Sequence, residues 1–182
     1  MNDVEIRAAG PGDAPVVSGL HTRSFRAAYE GFSETRRSLE TGEERRVAFW
    51  EKLLGRSDES TLLAIAGDRL IGFIRFGPSP DVDGDEATGH IFSVHVDPEL
   101  TGSGVGGQLV NAAVSAMSGA YRTATLWALS ENEPAHRFYE SLGWRRDGAA
   151  RTEKLSIGED DGDDVEVVRF HLDLVAMVEG TN

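Results

Sequence analysis

The chain contains no cysteine, only two lysines, Lys52 and Lys154, and 18 basic residues against 31 acidic ones. Each scarcity excludes something. Without cysteine there is no disulfide, no thiolate nucleophile and no thiolate metal ligand. A formal charge of -13 with no basic stripe excludes a phosphate-neutralising surface, so no nucleic-acid partner is expected and a cationic small molecule suits the chain better. No apolar run approaches the roughly 20 residues that cross a bilayer, so no membrane partner is expected. The opening Met1-Asn2-Asp3-Val4-Glu5 lacks the basic-then-apolar order of an export signal, which makes a cytoplasmic location the expectation. His21, His95, His136 and His171 stand at no ligand spacing, so no metal site is expected.

What remains is an ordinary globular composition: 182 residues, 40% of them hydrophobic, enough for one domain over residues 1–182 with a continuous core. Alternation over residues 4–8 predicts a strand, and Gly10-Pro11-Gly12-Asp13 breaks it ahead of a helix over residues 14–29. Residues 31–38 read as a loop, and Val47, Phe49, Trp50, Leu53 and Leu54 fall at helical spacing over residues 43–54. Two branched-residue runs, 61–66 and 70–76, flank Gly67-Asp68-Arg69 as a hairpin. Residues 77–89, with Pro78 and Pro80, read as an exposed, loose connection and a candidate substrate loop. A strand over 90–96, a helix over 105–117, a strand over 123–129 and a short helix over 134–142 follow. A hairpin over 151–174 closes the chain. Its last strand, with Val165, Val167, Arg169 and His171, is the expected free edge through which a homodimer would form.

This order predicts an α/β (α+β) fold: a mixed, mostly antiparallel six- to seven-stranded sheet with helices on both faces. Only the step from the fourth strand through the 105–117 helix to the fifth has the length of a parallel crossover. That crossover begins with Thr101-Gly102-Ser103-Gly104-Val105-Gly106-Gly107, whose glycines leave backbone amides bare at a helix start, a cradle for an anion such as pyrophosphate. The turn lacks the position and acidic partner of a dinucleotide fingerprint and the Lys-Ser/Thr of a P-loop. By itself a glycine-rich turn is weakly specific.

Its surroundings are more specific. Val94-His95-Val96-Asp97-Pro98-Glu99-Leu100-Thr101-Gly102-Ser103-Gly104-Val105-Gly106 resembles the coenzyme A motif of the GCN5-related N-acetyltransferase (GNAT) family. Asn132-Glu133-Pro134-Ala135-His136-Arg137-Phe138-Tyr139-Glu140-Ser141-Leu142-Gly143-Trp144 resembles that family's Asn-x-x-Ala-x-x-Phe-Tyr-x-x-x-Gly-Phe segment. The resemblance implies an acyl-CoA N-acyltransferase-like fold and an acetyl-CoA-dependent N-acetyltransferase. It also implies a coenzyme held by Val94, His95, Val96, Thr101, Gly102, Ser103, Gly104, Val105, Gly106, Gly107, Asn132, Phe138 and Tyr139. The family has Arg or Gln where Thr101 stands, so a side-chain contact to pyrophosphate is missing.

The resemblance further implies a general base in the fourth strand, at the position of His90, and an amide near a strand bulge around residues 94–96 that stabilises the developing oxyanion. Tyr139 takes the place of the acid that protonates the leaving thiolate; its neighbours Phe138 and Leu142 fill an apolar stripe and set it on another face. Phe25 and Tyr29 are placed nearest the acceptor, with core packing as the alternative for both. The expected reaction is direct attack of a small-molecule primary amine in a ternary complex. A protein N-terminal or lysine acetyltransferase and a non-catalytic acetyl-CoA-binding sensor stand as alternatives.

Overall fold

The computed structural model describes residues 4–28, 42–155 and 162–175. Among these residues seven strands are present: β1 (Val4–Ala8), β2 (Ser60–Ala66), β3 (Arg69–Pro78), β4 (Thr88–Val96), β5 (Thr123–Leu129), β6 (Arg145–Leu155) and β7 (Asp163–Asp173). Among the described residues four α-helices accompany them: α1 (Ala14–Ala28), α2 (Glu43–Leu54), α3 (Val105–Met117) and α4 (Glu133–Ser141). The predicted loop over 31–38 and Tyr29 lie outside the described residues.

The strands form one sheet in the order β1-β2-β3-β4-β5-β7-β6. As the crossover length requires, β4 and β5 pair in parallel, while the other neighbours are antiparallel. Period-two side chains let each strand feed both faces. On one face, Ile74, Ile91, Leu126 and Phe170 meet Val105, Leu109, Val110, Ala113 and Met117 of α3. On the other, Leu63, Leu70 and Phe73 meet Ala14, Val17 and Leu20 of α1 and Trp50 of α2. Each large side chain so buried contributes about 1.5–3 kcal/mol. The approach of α3 is close enough to demand glycine beneath it: a Cβ at Gly72 would stand 2.9 Å from Leu109 Cδ1 and 3.1 Å from the His95 carbonyl. Asp13 ties the chain entering α1 back to β1 rather than capping the helix forwards, accepting from Gly10 N at 2.9 Å and from both Arg7 Nη atoms at 2.9 and 2.7 Å.

Two expectations are corrected. The connection between β3 and β4 is not loose: Asp81 within it is buried, and its carboxylate is gripped from β5, β6 and β7. The last strand is not a free edge either. β7 lies between β5 and β6, because β6 begins at Arg145, and β6 forms the outer edge.

Candidate active site

The parallel pair β4–β5 is short. It runs from Thr88 opposite Thr123 to Ile91 opposite Leu126, after which β4 continues to Val96 and β5 to Leu129 without pairing. The cause lies on the far side of β4, where Ser93 pairs with Arg75 and Ile91 with Phe76, leaving Phe92 as an extra residue in a bulge. The bulge thus sits at Phe92, two residues ahead of the expected 94–96. It bends β4 away from β5 and opens a wedge whose β4 wall is the unpaired edge of residues 92–96. Backbone donors and acceptors on that edge are available to a ligand lying alongside.

β4 runs directly into the glycine-rich turn. Gly102 and Gly104 adopt φ of +80° and +89°, left-handed conformations that are costly for other residues, and Gly104 starts α3. Gln108 is the first helical amide to find a carbonyl, donating to Gly104 O at 3.1 Å. The amides of Val105, Gly106 and Gly107 therefore have no backbone acceptor among the described residues. A Cβ at Gly102, Gly104 or Gly107 would meet nothing within 4 Å, so the space before these amides is open. Ser103 Oγ lies in the same turn, buried with no hydrogen-bond partner. The bare amides, the open approach and the orphaned hydroxyl fit a pyrophosphate. The Thr101 amide is not part of this cradle, since it leans on Pro98 O at 3.4 Å.

His90 sits before the bulge, in the paired half of β4. Its neighbour Ile91 faces α3, so alternation sends His90 to the opposite face, with Thr125 and Trp127 of β5. It is buried, with Nδ1 at 2.8 Å from Thr125 Oγ1 and its ring against Phe92. Burial pushes its pKa down to about 4, against the pull of the nearby Asp81 carboxylate. Its Nε2 makes no hydrogen bond among the described residues.

Trp127, the first β5 residue beyond the paired segment, is held by that same Asp81. The indole Nε1 donates to Asp81 Oδ1 at 3.0 Å and Oδ2 at 3.2 Å, and Arg151 Nη1 donates to Oδ1 at 2.8 Å. The Arg151 guanidinium lies 4.0 Å from the Trp127 ring centroid. Arg169 reaches Asp81 at 3.5 Å and binds Asp83 through both Nη atoms at 2.7 Å and Asp147 at 2.6 Å. These contacts fasten residues 79–87 over the β5 wall of the wedge. Asp81→Ala leaves the indole N–H unmatched and Arg151 with Glu153 alone, and is expected to cost about 1–3 kcal/mol. A urea titration checks this; a loss below 1 kcal/mol would show that the strap is not structural.

On the α1 side of the wedge, His95 Nδ1 lies 2.9 Å from Ser24 Oγ, and its ring stacks on Phe73 at 5.0 Å. Phe25, an expected acceptor contact, is 5% exposed and packs edge-on against His21, within the core beneath α1. Trp50 is likewise core.

The α4 segment closes the β5 side. Asn132 Oδ1 accepts from Ala135 N at 3.1 Å and caps the helix. Phe138 rests on α3, 3.4 Å from where a Gly106 Cβ would be. The separation of Tyr139 from the apolar stripe does not hold: Phe138, Tyr139 and Leu142 all pack against one cluster, and the Tyr139 ring neighbours Phe138, Phe170 and Trp144. The buried His136 is a strut. Arg146 Nη2 can only donate, so it fixes Nδ1 as an acceptor at 2.6 Å, and Nε2–H then donates to the Leu129 carbonyl at the end of β5 at 2.8 Å.

The structure thus gathers Val96 at the end of β4, Gly106 in the turn and Phe138 of α4 against one another, while Asn132 caps α4 and Tyr139 packs against Phe138, Trp144 and Phe170. Sequence reasoning missed Ser24, Asp81, Arg151 and Arg169. Asp81 lay in a stretch rich in acids and proline, and nothing local distinguished it from its neighbours.

Known proteins agree with this architecture. A protein of Mycobacterium tuberculosis named as a probable N-acetyltransferase is 28% identical over 155 residues, covering 84% of this chain and 86% of its own. Mycothiol acetyltransferase of Actinosynnema mirum is 39% identical over 87 residues, which are 47% of this chain and 28% of that protein. Among solved structures, an N-acetyltransferase from Staphylococcus aureus superposes with a TM-score of 0.73 at 18% identity, covering 95% of this chain and 99% of its own. The paia N-acetyltransferase from Thermoplasma acidophilum, in complex with coenzyme A, does so with 0.67 at 20% identity, covering 94% and 99%. The acetyltransferase (GNAT) family profile matches residues 25–144, from the end of α1 to Trp144. On that match the chain belongs to the GNAT family, as an acetyl-CoA-dependent N-acetyltransferase.

Proposed function

We propose that residues 1–182 act as one catalytic domain that acetylates a primary amine of a small molecule by direct attack in a ternary complex. The observation that carries this reading is the wedge itself. It opens between β4 and β5 beyond Ile91 and Leu126, so a donor and an acceptor can meet there from opposite faces of the sheet. A chain without cysteine has no thiol to carry the acetyl group in between. A small acceptor is favoured by the partial likeness to mycothiol acetyltransferase.

In this reading acetyl-CoA supplies the activated acyl group. The amides of Val105, Gly106 and Gly107 hold its pyrophosphate, and the free edge of residues 92–96 aligns its arm. Backbone amides next to the bulge face the carbonyl oxygen as it gains charge. Tyr139 O–H returns a proton to the departing sulfur. His90 Nε2 receives the proton shed by the amine, with Asp81 favouring the charged imidazole. Because burial holds His90 near 4, it is a weak base, and His90→Ala is expected to cost roughly tenfold rather than the 10²–10⁴ usual for general bases. Any dimer formed through a strand edge would use β6.

The test is thiol release from acetyl-CoA across amino acids, polyamines, aminoglycosides and short peptides. Stimulation by a small amine, with intersecting initial-rate lines, is expected. Parallel lines would indicate a covalent acyl-enzyme, stimulation by peptides alone would make the acceptor a protein, and coenzyme binding without stimulation would make the chain a sensor. For an amine of pKa about 10.4 the rate should climb through pH 6 to 9 as free amine accumulates. The limb belonging to His90 should appear near pH 4, where the neutral form is lost, and not at 6.5.

A further inference from the structure

The sheet face on the α1 side, where His90 and Trp127 stand, is charged in the opposite sense to the chain as a whole. Against a formal charge of -13, the charges that bear on His90 among the described residues are Arg75, Arg151 and Arg169, with Asp81 as the opposing carboxylate. Two of the three guanidiniums are already engaged. Arg151 holds Asp81 and Glu153, and Arg169 holds Asp83 and Asp147.

Arg75 is different. It leaves β3 opposite Ser93, at the bulge, and its guanidinium carbon lies 4.5 Å from the ring centroid of Phe92, the bulged residue. Its acidic partner is Glu59, which receives Arg75 Nη1 at 3.1 Å and Arg56 Nε at 3.0 Å, so one carboxylate serves two arginines. Glu59 occupies only the Nη1 corner of Arg75. Nε, which with Nη2 forms the other side of the guanidinium fork, is buried without a hydrogen-bond partner. Such an unmatched N–H is costly, and burial pushes the pKa of Arg75 below its ordinary value. The side chain nonetheless keeps 19% of its surface exposed, so it is not sealed in the core.

The unoccupied side of the fork indicates what it would take. Nε and Nη2 together present the two parallel donors that hold a carboxylate bidentately. Phe92 also begins the unpaired β4 edge, where the proposed reaction places the thioester carbonyl. An acceptor carrying its amine and a carboxylate on the same or neighbouring carbon atoms can address both at once. A second ammonium group meets the reverse situation. Three guanidiniums oppose it, and the counter-charge, Asp81, is already shared by Trp127 and Arg151. The local charge of this face, and not the net charge of the chain, meets the acceptor.

We propose that Arg75 recognises a carboxylate on the acceptor, so that the substrate is an amino acid or a similar amine-carboxylate and not a polyamine or an aminoglycoside. The proposal rests on the reading of the chain as a small-amine acetyltransferase and narrows it.

The test uses matched acceptors: an α-amino acid, its carboxamide and the amine left on decarboxylation, with rates referred to the concentration of free amine. The acid should exceed the other two in kcat/KM by roughly tenfold to a hundredfold, as one charge-assisted hydrogen bond predicts. Arg75→Gln should bring the ratio of acid to carboxamide close to one, and Arg75→Lys, which keeps the charge, should restore part of it. If Arg75 only braces Glu59, Arg75→Gln lowers all three acceptors together and the ratio survives, which overturns the proposal. Equal use of the three by the unaltered protein, or preference for a polyamine, overturns it as well and leaves the small-amine reading standing. Should Arg75→Gln fail to fold, or no amine be turned over, the Arg75 Nε–H resonance of the unaltered protein saturated with coenzyme A decides, identified by its loss in Arg75→Lys. The amino acid and its N-acetyl derivative should shift it, and the decarboxylated amine should not. Absence of a shift with either carboxylate overturns the proposal; a shift without turnover upholds the carboxylate site and tells against the acetylation reading alone.

Discussion

Acidification from pH 7 to pH 4 is expected to strip the protein of most of its stability. Three histidines are buried or half-buried and held neutral: His90 and His95 near 4, His21 well below its ordinary value. In each case burial is the leading cause. A histidine whose folded pKa lies below its unfolded value of 6.5 binds fewer protons in the native state, so stability rises with pH. The contribution is fully present above pH 6.5 and is lost as pH falls from 6.5 towards 4. Each such group yields about 1.4 kcal/mol per pH unit within that window. His90 and His95 together then account for roughly 7 kcal/mol by pH 4, and His21 adds to it, against a total of only about 5–15 kcal/mol for a typical domain.

Protonation also reduces the formal charge of -13, which relieves self-repulsion and works the other way, so the titration belongs in 0.5 M salt or thereabouts, where that effect is screened. Denaturant midpoints at half-unit pH steps are the measurement. His95→Phe should flatten the slope by about one proton. A flat profile between pH 6.5 and 4.5 would mean that these imidazoles are solvated in the native state.

Tyr139→Phe is expected to lower kcat about a hundredfold or more while leaving coenzyme affinity nearly unchanged. The ring is committed to packing: Phe138 lies at 5.1 Å, Phe170 at 5.7 Å and Trp144 at 6.3 Å, centroid to centroid. Phenylalanine preserves all three contacts and removes only the oxygen. In the proposed reaction the thiolate then leaves unprotonated, so the loss should fall on kcat, while the proposed contacts of the cradle and the β4 edge with the coenzyme are kept. Single-turnover kinetics and a coenzyme titration separate the two. Undiminished turnover would return Tyr139 to the core, the alternative that its ring contacts already represent. Tyr139→Ala is the less informative variant, because it empties part of the α4 packing as well.

Much of the architecture could be read from local pattern. The α3 stripe of Val105, Leu109, Val110, Val114 and Met117, the hairpin at Gly67 and the crossover length between β4 and β5 are signals that one segment carries by itself. Gly102 and Gly104 were legible for the same reason, since a left-handed backbone leaves its mark on residue type wherever it occurs. The Asn132–Trp144 segment added a second resemblance to the GNAT family, to which the chain belongs.

What escaped prediction was non-local. The bulge at Phe92 depends on how β4 registers against β3, and nothing within residues 88–96 announces it. Asp81 has the composition of a loose loop, yet Trp127, Arg151 and Arg169 converge on it from 46, 70 and 88 residues away. The edge position of β6 was misread because an exposed, charge-rich strand lacks clear alternation, and its pairing with β7 is set by the hairpin. Sequence alone therefore determined most of the elements, their order, the glycine-rich turn before α3 and the family, because each of these is written in residue spacing. Only the tertiary structure decided where the strands part, which histidines are kept neutral and what fastens residues 79–87, because those depend on side chains that meet only once the sheet has formed.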